Sequence, residues 1–423
     1  MYNKDMKEKL EKLPFYNKMV LPYHFVKAAA AGAKFGWPAR KLRVIGVTGT
    51  NGKTTTCFMI WKMLNEAGFK TGLMTTVAWG VDDLHKQMEH MTTVDSNTLN
   101  RRIRKIAESG AEFLVLEVTS HAMVQFRTLG VPIDIAVMTN VTHEHLDYHK
   151  TFDNYVVAKC KLFEKAKFGV INEDDKSHEK FESAVRDYIT YGIKSGEMRA
   201  KSVKTAVSGV KYSCGDLKIE TQIPGEFNVY NSLAAACVGK KIGWSDEEIE
   251  RGIYALEEVE GRMNRVDAGQ NFEVIVDYAH TPDALEKVFL SVKNHEGRII
   301  AVHGGAGRRD ESTRPLRGEI LARNSDVVII TEDDSRDEDP QKIAAQFVEG
   351  AENGGKRLNK NLLVELDREE AIKDAFALAK KGDLVLILGK GHEKTILRAD
   401  GPHEFEDLKV TKRLLEELVK ARK

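Results

Sequence analysis

The chain has 423 residues, with Lys+Arg 64 against Asp+Glu 64; that length exceeds one hydrophobic core and predicts two or three domains. A formal net charge of zero leaves no global field to hold nucleic acid or an anionic membrane, so any polyanion must be met by a local site. Hydrophobic residues at 42% and charged residues at 30% exclude wholesale disorder, and no apolar run approaches the ~18 residues that span a bilayer.

The opening MYNKDMKEKLEKLPFYNK mixes acids and bases where a secretory signal needs an apolar stretch, so the expected address is the cytoplasm. Cys57, Cys160, Cys214 and Cys237 are widely spaced with no C-x-x-C pair, which points to neither a zinc ribbon nor a disulfide framework. Residues 1 to about 40 read as an amphipathic, partly helical leader that ends at Pro38; with few charges, it is expected to pack on the next domain rather than lie on a membrane.

From Leu42 short apolar runs alternate with helical stretches: LRVIGV, FLVLEV and IDIAVM, each followed by Gly, Ser, Thr or Asn. Unbroken apolar strands buried on both faces predict a parallel sheet. The stretch near 200 to 225 predicts antiparallel β, followed by helices, one opened by a capping box from Ser245 to Glu248. After GRMNRV the alternation restarts with FEVIVDY, RIIAVHG, DVVIIT, NLLVEL and DLVLILG, and with a helix opened by a box from Asp367 to Glu370. That is a second doubly wound α/β unit. The predicted divisions are a leader at 1–41, a central domain at 42–260 and a C-terminal domain at 261–423, with the main boundary near Glu258 to Arg262.

The strongest local signal is VIGVTGTNGKTTT. A strand, a turn with Gly49 and Gly52, and a helix opening at Lys53, Thr54 and Thr55 aim backbone N–H groups at phosphate oxygens. Lys53 supplies the cation, and the Thr54 hydroxyl can ligate Mg²⁺. Val47 stands where the general pattern has its first glycine; the match is to the shorter T-G-T-x-G-K-T form.

Glu117 ends a buried run at a strand's carboxyl end, where open α/β sheets place ligands. It is either a solvated strand end or a carboxylate faced by something cationic. His145, in TNVTHEHLDYH, comes after another strand and reads equally as a loop histidine. Lys159 falls on the apolar stripe of Phe152, Tyr155, Val156 and Phe163. It either snorkels out or has its pKa lowered and does chemistry, including uptake of CO₂ as an anionic carbamate if held neutral beside metal. In the second unit DYAHTPDAL, HGGAGRRDESTRPL, ITEDDSRDEDP and LGKGHE each follow a strand directly, which brings glycines, basic groups and carboxylates to one sheet edge as a ligand face.

With these residues, the chain resembles the Mur ligases, and within them the branch that adds the third residue to the cell-wall peptide. The likeness runs from about Leu42 to the end through TGTNGKTTT, EVTSHAMVQFR, HLDYHKTFDNYVVAK, GEFNVYN, GRMNRV, DYAHTPDAL and GKGHE in family order. It implies a P-loop central ATPase domain with a parallel sheet and a C-terminal Rossmann-like α/β ligase domain. It also implies that ATP activates a substrate carboxylate as an acyl phosphate, which an amine displaces to give an amide.

On that resemblance Gly49, Thr50, Asn51, Gly52, Lys53, Thr54 and Thr55 hold the ATP phosphates, and Asn228, Asn231, Arg262 and Asp277 meet the rest of the nucleotide. Thr54 and Glu117 hold one Mg²⁺, and His145 with Lys159, as a carbamate, holds a second. Thr92, Thr93, Thr119, Gln125 and Arg127 bind the muramoyl-dipeptide, with Thr119 in place of a serine. Arg309, Asp333, Asp334, Arg336, Gly389 and Glu393 bind the diamino acid. Arg336 favours meso-diaminopimelate, through bidentate pairing to a distal carboxylate, over L-lysine, while Asp334 and Ser335 depart from the Asp-Asn-Pro-Arg of the diaminopimelate-adding enzymes.

Fewer than 45 residues precede the phosphate loop, where family members carry a domain for the UDP group. The readings open here are a reduced grip by the leader, a partner that supplies the domain, or an acceptor without UDP. The weighed rivals are a folylpolyglutamate synthetase-like ligase, whose loop usually reads G-K-G-S where this chain has Gly52-Lys53-Thr54-Thr55, and a non-catalytic ATP-binding scaffold. The amidotransferase-associated Mur-like ligases tend to carry a four-cysteine zinc module, which the scattered cysteines do not match.

Overall fold

The computed structural model describes residues 16–421 apart from positions 90 and 207; the leader before residue 16 lies outside them. What is described of the leader is the helix Tyr16–Phe35. It packs on the helix Ser96–Glu108, and Ala28 and Ala31 in its alanine-rich second half are buried. Among the described residues no helix is long and apolar enough to cross a membrane. The four cysteines are free and buried.

The chain divides into two compact units. The first comprises the residues up to Val203 with Lys211–Glu220 and Val229–Leu256; the second comprises Lys204–Val210, Thr221–Asn228 and Glu257 onward. In the first, β1 (Arg43–Thr48), β2 (Thr71–Met74), β3 (Ala78–Gly80), β4 (Leu84–Lys86), β5 (Phe113–Glu117), β6 (Ile133–Met138), β7 (Ala166–Asn172), β8 (Tyr188–Gly192) and β9 (Met198–Arg199) form one sheet in the order β4-β3-β2-β5-β1-β6-β7-β8-β9. Strand β1 lies parallel between β5 and β6, with Val47 opposite both Glu117 and Val137. The loop after β1, the end of β5 and the loop after β6 therefore meet at one edge, which is where a parallel sheet presents its ligands. The strands are apolar on both faces because helices cover both: β5 is buried throughout, and Val44, Leu114, Leu116 and Ala136 join one core with residues of the helix Phe152–Phe163.

The expected β near 200 to 225 is a sheet of β10 (Lys201–Ala206), β11 (Gly209–Cys214) and β12 (Leu217–Thr221). The helix Asp246–Tyr254 opens with both arms of the Ser245–Glu248 capping box. The Asp367–Glu370 box is only half made. Asp367 accepts from the N–H groups of Glu369 and Glu370, but its own N–H donates to Glu365 at 2.8 Å, so the reciprocal arm expected from the sequence is replaced by an upstream carboxylate.

The second unit holds β13 (Asn264–Arg265), β14 (Glu273–Asp277), β15 (Ile299–Gly305), β16 (Val327–Glu332), β17 (Leu362–Val364) and β18 (Leu384–Leu388), in the order β13-β14-β18-β15-β16-β17, plus the hairpin β19 (Thr395–Arg398) and β20 (Gly401–Glu404). All pairs in the large sheet are parallel except β13 with β14. Strands β14, β18, β15 and β16 are neighbours, so the four loops singled out in the sequence rise from one edge.

Beneath that edge Arg368 and Asp407, both fully buried, form a two-bond ion pair at 2.7 and 2.8 Å, and the guanidinium also reaches the Leu388 carbonyl at 3.0 Å. Removing one partner of such a pair strands the other charge. Arg368→Met is expected to cost the unit about 3–5 kcal/mol, and the double change Arg368→Met with Asp407→Leu to recover most of it. Urea unfolding of the single and double variants checks this; equal losses in both would contradict it.

Candidate active site

The phosphate-type loop is shaped by two glycines. Gly49 has φ 151° and Gly52 has φ 83°; a Cβ on Gly49 would lie 1.9 Å from Thr139 Oγ1, and one on Gly52 would lie 2.3 Å from Asn231 Oδ1. Only glycine fits either position without displacing the neighbour. The loop is pinned to the end of β6: Thr50 N–H donates to the Asn140 carbonyl at 2.7 Å, Asn51 N–H to Asn140 Oδ1 at 3.0 Å, and Thr139 Oγ1 to the Asn51 carbonyl at 2.7 Å. Gly52 caps the helix Lys53–Glu66 without a side-chain acceptor, so the first turn presents its N–H groups and the positive end of the helix dipole. Lys53 Nζ folds back on the Thr50 carbonyl at 2.7 Å.

Glu117 is buried at 2% exposure. Its Oε2 accepts from Thr54 Oγ1 at 3.0 Å and from Thr76 N–H and Oγ1 at 2.9 and 3.0 Å. Its burial excludes a solvated strand end, and among the described residues no cation pairs with it. Thr92 Oγ1 meets Thr76 Oγ1 at 3.0 Å. Thr93 Oγ1 donates to the Glu117 carbonyl at 2.9 Å and accepts from Thr119 N–H at 3.0 Å. Arg127 grips Gln125 Oε1 at 2.7 and 3.0 Å and also reaches the Thr93 carbonyl. All five expected acceptor residues thus form one network running on from Glu117, with Gln125 joined through Arg127.

Lys159 does not snorkel. At 1% exposure its Nζ donates to the Gly49 carbonyl at 2.6 Å and sits 4.4 Å above the Tyr155 ring, with no anion pairing among the described residues. Burial, and Lys53 nearby, hold the amine well below its ordinary pKa. His145, at φ 56°, lies 3.6 Å from Glu144 and 6.1 Å, centre to centre, from the same Tyr155 ring. Tyr155 OH in turn contacts Thr50 Oγ1 at 3.2 Å.

Thr76, Thr139, Asn140 and Tyr155 were not singled out in the sequence. Asn140 had a readable signal, coming just after the run IDIAVM; Thr76 had none. His121 stands edge-on to His145 at 4.9 Å and against Tyr148 at 4.1 Å, and burial with the neighbouring charges lowers its pKa to about 3, which keeps it neutral.

Asn231 accepts from Thr56 Oγ1 at 3.3 Å and packs beneath Gly52. Asn228 is fully buried and donates to the Pro224 carbonyl at 2.6 Å. Asp277 accepts from the N–H groups of Met263 and Ala279 at 2.8 and 2.7 Å, and burial raises its pKa despite Arg262; Arg262 lies over the Tyr278 ring at 4.6 Å.

At the second unit's edge Asp333, Asp334 and Glu393 converge as a metal site would. Lys390, however, fills their centre, with Nζ at 3.1, 2.9 and 2.8 Å from the three carboxylates. Burial opposes ionisation of Asp333, but Lys390 and Arg368 outweigh it and hold the carboxyl below the usual range. Glu393 is pushed up to about 7, chiefly by burial. Gly389, at φ 114°, donates to the Asp277 carbonyl at 3.0 Å. Arg336 is half-buried and donates to the Gly307 carbonyl at 2.9 Å, and among the described residues it has no carboxylate partner. Arg308, Arg314, Arg368 and Arg398 around it are all paired with acids. Arg309 is exposed.

A buried carboxylate touching a hydroxyl at a helix start fits a hard divalent cation, and the bare loop fits a polyphosphate. Glu117→Gln keeps the acceptor for Thr76 and removes the buried charge. It is expected to stabilise the ligand-free protein by about 1 kcal/mol or more and to lower any ATP-dependent turnover about 100-fold or more. Melting curves and phosphate release check the two signs; a destabilised variant with full turnover would contradict both.

The Mur ligase middle domain matches residues 47–239, and the Mur ligase glutamate ligase domain matches residues 261–391. A UDP-N-acetylmuramyl-tripeptide synthetase of Roseiflexus sp. (strain RS-1) is 40% identical over 92% of this chain and 82% of its own length. A solved UDP-N-acetylmuramoyl-L-alanyl-D-glutamate–2,6-diaminopimelate ligase is 31% identical with TM-score 0.62, over 89% of this chain and 79% of its own. The Mycobacterium tuberculosis folylpolyglutamate synthase, 17% identical with TM-score 0.72 over 86% and 92%, shares the fold. By both domains and by relatives spanning most of its length, this chain belongs to the Mur ligase family.

Proposed function

We propose that the protein is an ATP-dependent ligase, acting in the cytoplasm, that joins a diamino acid, meso-diaminopimelate ahead of L-lysine, to the D-glutamate carboxylate of a muramoyl-L-alanyl-D-glutamate precursor. The observation that carries this is the pair of buried groups without counter-charge at the phosphate loop, Glu117 and Lys159. Each is costly to bury alone, and each has the chemistry to hold a cation that accompanies ATP.

Lys53 and the N–H groups of Gly49 to Thr55 bind and orient the β- and γ-phosphates, and Asn228, Asn231, Arg262 and Asp277 serve the rest of the nucleotide. Thr54 and Glu117 would hold one Mg²⁺; His145 and Lys159, as its carbamate, would hold a second. Magnesium, when bound, neutralises the γ-phosphate and carboxylate charges that otherwise repel. Thr92, Thr93, Thr119, Gln125 and Arg127 place the acceptor, whose carboxylate oxygen attacks the γ-phosphorus as ADP leaves. The amine then attacks the acyl carbon, and phosphate departs with that oxygen.

Arg309, Arg336, Asp333, Asp334, Gly389 and Glu393 hold the diamino acid. The guanidinium of Arg336, without an acid of its own, suits a distal carboxylate and favours diaminopimelate over lysine. The folate reading draws on the shared fold alone, and the loop Gly52-Lys53-Thr54-Thr55 and the motifs DYAHTPDAL and GKGHE speak for the muramoyl-peptide side.

Product mass after incubation with ATP, Mg²⁺, each diamino acid, and the muramoyl-dipeptide with and without UDP tests the proposal, with folate and glutamate in parallel. Amide formation with diaminopimelate is expected, and Arg336→Ala is expected to reduce its kcat/KM over lysine by about 10-fold or more; product only from folate would overturn the reading. For Lys159, ¹³C-bicarbonate is expected to give a carbamate resonance that Lys159→Ala lacks, with turnover in that variant down about 100-fold or more. No resonance at saturating bicarbonate would exclude the carbamate.

A further inference from the structure

Two buried polar side chains in the second unit are left without the partners that burial demands. Arg317, on the helix Thr313–Asn324, is 5% exposed. It donates one hydrogen bond, to the His280 carbonyl at 3.0 Å, its Nε has no acceptor, and it makes no ion pair among the described residues. Burial pulls its pKa down to about 10. His303, near the carboxyl end of β15, is fully buried, and neither ring nitrogen makes a well-formed hydrogen bond, although the Leu388 backbone acts on the ring; burial, with Arg317 nearby, holds its pKa well below the ordinary value. Both pack on Phe347, the guanidinium at 4.7 Å and the imidazole at 5.5 Å from the ring centre.

These groups underlie the loops assigned to the diamino acid. A Cβ on Gly389 would lie 3.5 Å from His303 Nδ1 and 3.5 Å from Asp333 Oδ2. Asp333 is also the anion that acts most strongly on Arg317, yet its Oδ1 is committed to Lys390 and to Asp334 N–H. A fully packed protein would replace an unpaired buried guanidinium by an apolar side chain. An unpaired buried group of this kind calls for an explanation, and a bound ligand that brings the opposite charge supplies one.

We propose that Arg317, with His303 beside it, is a further specificity-determining residue of the amino-acid pocket: its uncompensated positive charge selects an amino acid that brings an additional carboxylate. This rests on the ligase reading. Arg317 acts from beneath, through the field at Asp333 and the Gly389 turn, and not by touching the substrate. Lysine offers an ammonium in the distal position and gains nothing from that field, whereas diaminopimelate offers a zwitterionic end.

The test compares kcat/KM for meso-diaminopimelate and L-lysine in Arg317→Met, Arg317→Lys and His303→Phe, with melting temperatures of the ligand-free proteins. Arg317→Met is expected to lower the diaminopimelate-to-lysine ratio about 10-fold or more, mainly through KM for diaminopimelate, with KM for ATP unchanged and the melting temperature not lowered. Arg317→Lys, which keeps the charge, is expected to keep most of the ratio. His303→Phe, which keeps an uncharged ring beside Arg317, is expected to keep the ratio and to hold or raise the melting temperature. An unchanged ratio in an active, folded Arg317→Met overturns the proposal, as does a loss that Arg317→Lys shares in full. Should Arg317→Met melt early, the ratio in Arg317→Gln, which removes the charge but keeps a polar side chain, decides. Absence of amide formation in the wild-type protein with either diamino acid would instead sink the ligase reading itself.

Discussion

A carboxylate and an amine of opposite formal charge are buried at one sheet edge of the first unit, and neither neutralises the other. Glu117 is held by neutral donors, Thr54 and Thr76; Lys159 is held by a neutral acceptor, the Gly49 carbonyl. Burial without a counter-charge is expensive, and the surrounding structure is arranged to tolerate it. Strand β1 lies between β5 and β6, the phosphate loop is pinned to Thr139 and Asn140, and Gly49 and Gly52 allow that close approach. The edge is thus preorganised for charge that arrives from outside, which is what polarising a phosphoryl group requires.

The second unit solves the same physical problem in the opposite way. Asp333, Asp334 and Glu393 form an acidic trio that in isolation would invite a divalent cation, but the ammonium of Lys390 occupies its centre. Three acids sharing one internal cation leave net negative charge for a further ammonium, while Arg336 and Arg317 supply positive charge with no internal acid among the described residues. Unlike charges held apart in this manner suit a zwitterionic ligand end better than a simple ion.

Much of this was legible in the sequence because it rests on local pattern. The runs LRVIGV, FLVLEV and IDIAVM are strands since their apolar residues are buried on both faces, and the residues just beyond each run lie at a carboxyl end. Lys159 stood out for the same reason, as the lysine on an apolar stripe, and its burial is a consequence of the 3-4-4 spacing. The antiparallel β expected near 200 to 225 rested on weaker alternation and corresponds to a small three-stranded sheet.

The features that escaped the sequence depend on contacts between segments far apart in the chain. Thr76 reaches Glu117 across 41 positions, and Lys390 reaches Asp333 across 57; neither has a local signature. Lys390 sits in a motif that was recognised, yet its role as the neutralising centre needs the fold. The missing arm of the Asp367 box is a smaller case, since Glu365 competes for the same N–H and only geometry decides. Arg317 and His303 carry no local signature either. Their lack of partners emerges only when every neighbour is placed.

Phosphorylation of a carboxylate at the edge where Glu117 and Lys159 lie is the first chemical step proposed, and oxygen bookkeeping reads that step most directly. With the acceptor's D-glutamate carboxylate labelled with ¹⁸O, and ATP, Mg²⁺ and diaminopimelate present, each phosphate released alongside an amide should carry one labelled oxygen. Unlabelled phosphate accompanying amide formation would contradict the account, because the carboxylate would then never have been joined to phosphorus.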